Sequence, residues 1–179
     1  MDIKDVEAAF SGTTKKSRLS KTIEDLLNKQ IGIELGAVQL YRAMGYWCNW
    51  TGLSGTSKFL LKHAEEELLH MNKLAEYLLD RNALAKMPNI KAELTNFSDL
   101  KTVLEKGREH EIMVTNSYQQ AKKIACDEED YVTEEFFRWY LKEQVEEEAI
   151  FLSLLDRLEI IGNDKRGQYF LDLEIGEMV

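Results

Sequence analysis

Four long stretches of the chain repeat apolar residues at alternating spacings of three and four, the period of helices that bury one face. The first runs from about Ser20 to Asn49 and aligns Leu27, Ile31, Glu34, Val38, Tyr41, Gly45 and Cys48. Thr51-Gly52-Leu53-Ser54-Gly55 breaks it, and Thr56 or Ser57 is placed to cap a second helix. That helix reaches about Asn82 with Leu60, Ala64, Glu67, Met71, Leu74 and Leu78 on one side. From Ala83 to Phe97 the period lapses around Pro88, the only proline in the chain, which gives a connection long enough to travel the length of a bundle. Ser98 then opens a third helix aligning Leu100, Leu104, Gly107, Glu111, Val114, Tyr118, Ala121 and Ala125. After a short break at Asp127 to Asp130, a fourth aligns Phe137, Tyr140, Gln144, Glu147, Phe151, Leu154, Leu158 and Ile161. Gly162-Asn163 stops it, and Tyr169, Phe170, Leu171, Leu173 and Ile175 predict a short terminal helix. The fold expected is all-α: a four-helix bundle with one long crossover connection and a short fifth C-terminal helix. A single domain over residues 19–179 follows an N-terminal extension, 1–18, read as a flexible tail.

Each apolar seam is interrupted near its middle by a glutamate: Glu34, Glu67, Glu111 and Glu147. Helices of matched length packed side by side put their midpoints at one level, so the four carboxylates should meet. Buried together they repel one another and cost several kcal/mol each unless cations neutralise them. Two ferrous ions carry the matching charge. Glu67-Leu68-Leu69-His70 adds an imidazole on the same helical face, a Glu-x-x-His pair of the di-iron carboxylate kind, and oxygen ligands with one imidazole suit iron or manganese. The same pair is also common by chance on solvated faces of Glu-rich helices; its place on the seam favours the ligand reading. His63 and His110 have no glutamate three residues before them and are read as packing or surface residues. The fourth helix has Ile150 three residues after Glu147, so a second Glu-x-x-His is missing, and Gln144 stands one turn before Glu147 instead. Glu66, Glu143 and Glu146 form either a solvated acidic face or a further metal site. Tyr41, two turns from Glu34, either fills the core or hydrogen-bonds a ligand and donates an electron to metal-bound oxygen; Trp139 beside Tyr140 is equally open.

Charge and cysteine content narrow the class. A net charge of -9 leaves no surplus of Lys and Arg for nucleic acid, so no nucleic-acid partner is expected, whereas an acidic surface suits cations. Cys48 and Cys126 lack a Cys-x-x-Cys arrangement, which leaves a zinc ribbon or disulfide framework unsupported and fits a reduced, cytoplasmic protein. No apolar run is long enough for a membrane span, and the N-terminus lacks a secretory h-region.

The segments NKQIGIELGAVQLYRAMGYWC, FLLKHAEEELLHM, WYLKEQVEEE and GQYFLD, in this order and spacing, resemble the bacterial non-haem ferritins from about Arg18 to Leu173. The resemblance implies a ferritin-like bundle in which Glu34, Glu67 and His70 hold one iron and Glu67, Glu111 and Glu147 a second, with Glu67 bridging. It further implies a third iron site of Glu66, Glu143, Glu146 and Glu147, with Tyr41 and Gln144 close by. The implied activity is oxidation of ferrous iron by dioxygen or hydrogen peroxide, with storage as a ferric mineral in a hollow homo-oligomer of 24 subunits whose four-fold axis the C-terminal segment lines. Residue 68 is leucine where haem-binding relatives carry methionine, so no haem is expected. The residues before the usual start, with Lys15-Lys16-Ser17-Arg18, keep open a Dps-like DNA-protecting particle as the alternative. A di-iron oxygenase is disfavoured by the missing second histidine, and a purely structural bundle by the four seam glutamates. Asp127, Asp130 and Glu134 suit either an iron-admitting pore or the positive end of a helix dipole.

Overall fold

The computed structural model describes residues 16–89 and 96–178. Most of the extension, 1–15, with Lys15 of the basic patch, lies outside the described residues. Five helices follow in order: α1 (Lys21–Trp50), α2 (Ser54–Asp80), α3 (Leu100–Asp127), α4 (Tyr131–Ile161) and α5 (Lys165–Gly176). The seam residues of the first three helices are all buried, and those of α4 are buried apart from Glu147 and Ile161, which are partly covered. Two apolar clusters result. One, around Met44, Phe59, Leu104 and Phe151, fills one end of the bundle; the other, around Leu27, Leu74, Tyr118 and Phe137, fills the other. The polar centre lies between them.

α1 packs on α2 and α3 on α4 as two hairpins, and α1 also packs on α3. α2 and α4 meet only through long side chains, which leaves the width that a carboxylate centre needs. The described ends of the crossover lie against opposite ends of α1. Asn28 accepts a hydrogen bond from the Lys86 amide (2.6 Å) and donates to the Leu84 carbonyl (3.1 Å), whereas Phe97 meets Trp47 edge to face with ring centroids 5.7 Å apart. Asn28 and Trp47 are about 28 Å apart along a helix rising about 1.5 Å per residue. α3 therefore starts at the end opposite to where α2 stops.

Caps explain the boundaries and correct two of those expected. Ser20 accepts from the Ile23 amide (3.1 Å) and Asp130 from the Thr133 amide (3.1 Å), as N-cap side chains do. α3 is capped by Asp99, which accepts from the Thr102 amide (2.8 Å), rather than by Ser98, whose hydroxyl pairs with the Thr102 hydroxyl (2.6 Å). α2 begins at Ser54 without a side-chain cap of its own. Asp172 of α5 supplies it, accepting from the amides of Gly55 (3.0 Å) and Thr56 (2.7 Å) and from the Thr56 hydroxyl (2.7 Å). Thr56, expected as the cap, is thus a donor to it. A Cβ on Gly55 would lie 1.8 Å from the Asp172 carbonyl oxygen, so only glycine permits this approach. The last residue of the extension, expected to be flexible, is tied down: the Arg18 amide donates to the Arg81 carbonyl (2.9 Å).

Candidate metal centre

Ligand atoms of Glu34, Glu67 and His70 all lie within 4.8 Å of one another, and His70 Nδ1 is 3.1 Å from Glu67 Oε2. The Glu-x-x-His spacing on α2 achieves this by stacking the two side chains one turn apart, while Glu34 arrives from α1. Glu34 is 1 % exposed, and its Oε2 is buried with no hydrogen-bond partner. An orphaned carboxylate oxygen beside a second carboxylate and an imidazole is a donor set awaiting a hard or borderline cation, and iron fits it.

The two remaining seam glutamates flank this group with partners of their own. Glu111 accepts from the Tyr41 hydroxyl on one oxygen and from Gln144 Nε2 on the other (2.8 Å), so Tyr41 and Gln144 both hold a candidate ligand. Glu147 accepts from or shares a proton with His63 Nε2 at 3.0 Å. His63, Glu66 and Glu147 form a second group with ligand atoms mutually within 4.8 Å. This corrects the reading of His63 as an ordinary packing or surface residue: its side chain is 6 % exposed and faces two carboxylates, Glu66 across one turn (3.8 Å) and Glu147. Sequence reasoning missed it because it looked for a glutamate before the histidine; the carboxylates come from three residues after it and from another helix. His110 does pack, edge to face with Tyr41 at 6.0 Å, and burial pushes its pKa down to about 4. Glu143 and Glu146 do not join either close group among the described residues. Asp127, Asp130 and Glu134 are engaged by Lys123, by the α4 cap, and by Lys122 with Arg138, respectively.

Burial and mutual repulsion raise three of the seam carboxyls above their ordinary range. Burial, then the charge of Glu67, holds the Glu34 carboxyl well above the usual range. Burial, with the charges of Glu111, Glu147 and Glu66, raises Glu67 to about 8, and burial raises Glu111 to about 7 against the hydrogen bonds from Tyr41 and Gln144. For His63 burial favours the neutral ring, but the Glu147 hydrogen bond and charge win and raise its pKa. Like charges this close favour the protonated form of each carboxyl.

A second tyrosine completes the centre, and the sequence reading had left it in the core. Tyr118 of α3 donates to Glu34 Oε1, as Tyr41 of α1 donates to Glu111 Oε1. The visible signal was a repeated spacing: a tyrosine seven residues after each of Glu34 and Glu111. In an antiparallel pair, that spacing lets each tyrosine reach the other helix's glutamate.

Comparison with known proteins gives this arrangement a context. The model of the Ferritin-like domain matches residues 24–161, which include every helix that supplies a carboxylate to the centre. The chain belongs to the ferritin family. This ferritin is 38 % identical over 160 residues to a probable bacterial non-heme ferritin-like protein of Haemophilus influenzae, covering 89 % of this chain and 97 % of that one. It is 38 % identical over 154 residues to the bacterial non-heme ferritin of Campylobacter jejuni, covering 86 % and 92 %. Among solved structures, an open pore ferritin from the archaeon Archaeoglobus fulgidus superposes with a TM-score of 0.87 at 32 % identity, covering 88 % of this chain and 98 % of that one.

Proposed function

We propose that this ferritin stores iron and oxidises it on the way in, with ferrous iron as substrate and dioxygen or hydrogen peroxide as oxidant. The observation that carries this reading is the buried Glu34–Glu67–His70 group, in which one Glu34 carboxylate oxygen is unpartnered. Glu34, Glu67 and His70 take one ferrous ion. Glu67, Glu111 and Glu147 take the second of a di-iron centre, with Glu67 shared between them. Two ferrous ions side by side supply electrons to one oxidant molecule and neutralise four carboxylates at once. Because Glu67 and Glu111 hold protons near neutrality, loading releases those protons, and the ionised carboxylates then carry the ions.

Product iron leaves by way of Glu147, which belongs both to the second ion's ligands and to the His63–Glu66–Glu147 group. Glu143 and Glu146, within one turn of Glu147 on α4, complete a third iron position by turning toward it. Ferric mineral collects inside a homo-oligomeric shell of 24 copies, a number in keeping with the ferritin neighbours. Exposed Tyr169, Phe170 and Leu173 on α5 and Trp50 on α1 give that assembly apolar surface to cover. Free Cys48 and Cys126 fit a cytoplasmic setting, and no helix among the described residues is long and apolar enough to cross a membrane. The Dps-like alternative draws no support from the relatives matched.

Aerobic addition of ferrous iron to the purified protein tests the reading. A soluble rust-coloured particle, forming faster than iron oxidises in buffer and eluting with the protein shell, is expected. Iron that oxidises at the buffer rate and precipitates would overturn it.

A further inference from the structure

The iron centre has two buried tyrosines placed in mirror fashion, Tyr41 on Glu111 and Tyr118 on Glu34. Tyr118 is 0 % exposed and its hydroxyl is spent on Glu34 Oε1, which leaves Oε2 unpartnered on a carboxylate that lies within 4.8 Å of the Glu67 and His70 ligand atoms. The phenol is therefore one carboxylate removed from the position where the first ferrous ion binds, with its proton already aimed at that carboxylate. Its ring has an onward path. Tyr118 stacks on Tyr140 with centroids 4.5 Å apart and planes 15° from parallel, and Tyr140 meets Trp139 at 4.8 Å. Trp139 is half-buried, with the Lys73 ammonium 3.6 Å above its ring, so the row of aromatics leads from the sealed centre to the bundle surface.

We infer that Tyr118 is a second redox-active tyrosine of the centre, an electron donor that works alongside Tyr41. The inference rests on the ferroxidase reading above. Its O–H bond breaks, the proton passes along the existing hydrogen bond to Glu34, and the electron goes to dioxygen already partly reduced by ferrous iron. The count closes at four electrons for one dioxygen: two from two ferrous ions, one from Tyr118 and one from Tyr41, with four protons, two phenolic and two from solvent, giving two waters. The oxidised ring recovers an electron through Tyr140 and Trp139 from a further ferrous ion at the bundle surface, which becomes ferric, and a proton returns from Glu34 to the phenol. A tyrosine that merely held Glu34 in place would need neither the stacked partner nor the route outward.

The experiment places a fluorinated tyrosine at position 118 of the Tyr41→Phe variant, mixes the ferrous-loaded protein with dioxygen, and records electron paramagnetic resonance after freezing within milliseconds. A tyrosyl radical with fluorine splitting is expected, because the substituted ring keeps its hydroxyl and its hydrogen bond. The companion variant Tyr41→Phe/Tyr118→Phe is expected to lose the tyrosyl signal and to release more hydrogen peroxide per dioxygen consumed. Rapid iron oxidation with no radical, or with a radical lacking fluorine splitting, would overturn the role of Tyr118 and leave the ferroxidase reading standing. Absence of rapid oxidation in the unmodified protein would overturn both.

Discussion

Replacing Glu67 with alanine is expected to slow the initial oxidation of ferrous iron at least about 100-fold, which corresponds to about 2.7 kcal/mol on the barrier. Glu67 lies centrally among the carboxylates: it is beside Glu34 and His70, and the charges of Glu111, Glu147 and Glu66 all act on it. Its loss removes a ligand from both ferrous positions, so the two ions cannot be held together for one oxidant. The backbone loses only a polar side chain from α2, whose packing is carried by Leu60, Ala64, Leu74 and Leu78. The shell should therefore still assemble, which size-exclusion chromatography checks beside a stopped-flow measurement of iron oxidation. A variant that assembles and oxidises iron at the parental rate would remove Glu67 from the mechanism.

The iron-free protein should lose stability as pH rises from 7 to 9, with its Tm falling by at least about 4 °C for a chain of this size. Glu34, Glu67 and Glu111 have folded pKa values raised above the ordinary 4.5, with Glu67 near 8 and Glu111 near 7. A raised value means that the folded state holds protons the unfolded chain has already released; the stability is complete below the unfolded value and is lost as pH climbs through the folded one. His63, also raised, adds to the fall in the same direction. The Glu67→Gln variant, unable to ionise, should show a shallower decline and exceed the parent's Tm at pH 9 while losing activity. Ferrous iron added without oxygen should restore the parent at that pH, since cations replace the missing protons. Calorimetry across the pH series decides it: a flat profile in the parent would mean that the carboxylates are not buried together.

The bundle was legible because every seam residue obeys one period, and burial follows that period helix by helix. The mid-seam glutamates were legible for the same reason: a charged residue where Leu or Ile belongs is a departure that packing alone does not explain. What periodicity does not encode is direction. It placed Glu147 with the other three, but the side chain turns to His63, and it could not tell that Glu111 spends both oxygens on Tyr41 and Gln144. Contacts between helices that meet only through long side chains, as α2 and α4 do, have no signature within either helix, which is why His63 was passed over. The cap of α2 was hidden similarly, since Asp172 lies 117 residues beyond Gly55. Tyr118 was in plain sight on the α3 seam; only its equal spacing with the Glu34 and Tyr41 pair marks it as more than core.

An iron-anomalous difference map from crystals soaked anaerobically in ferrous salt reaches the central claim directly. The account predicts two strong peaks inside each bundle, one among Glu34, Glu67 and His70 and the other among Glu67, Glu111 and Glu147, with Glu67 touching both. Peaks confined to the outer acidic surface, with these side chains still bonded only to one another and to tyrosine, would contradict it.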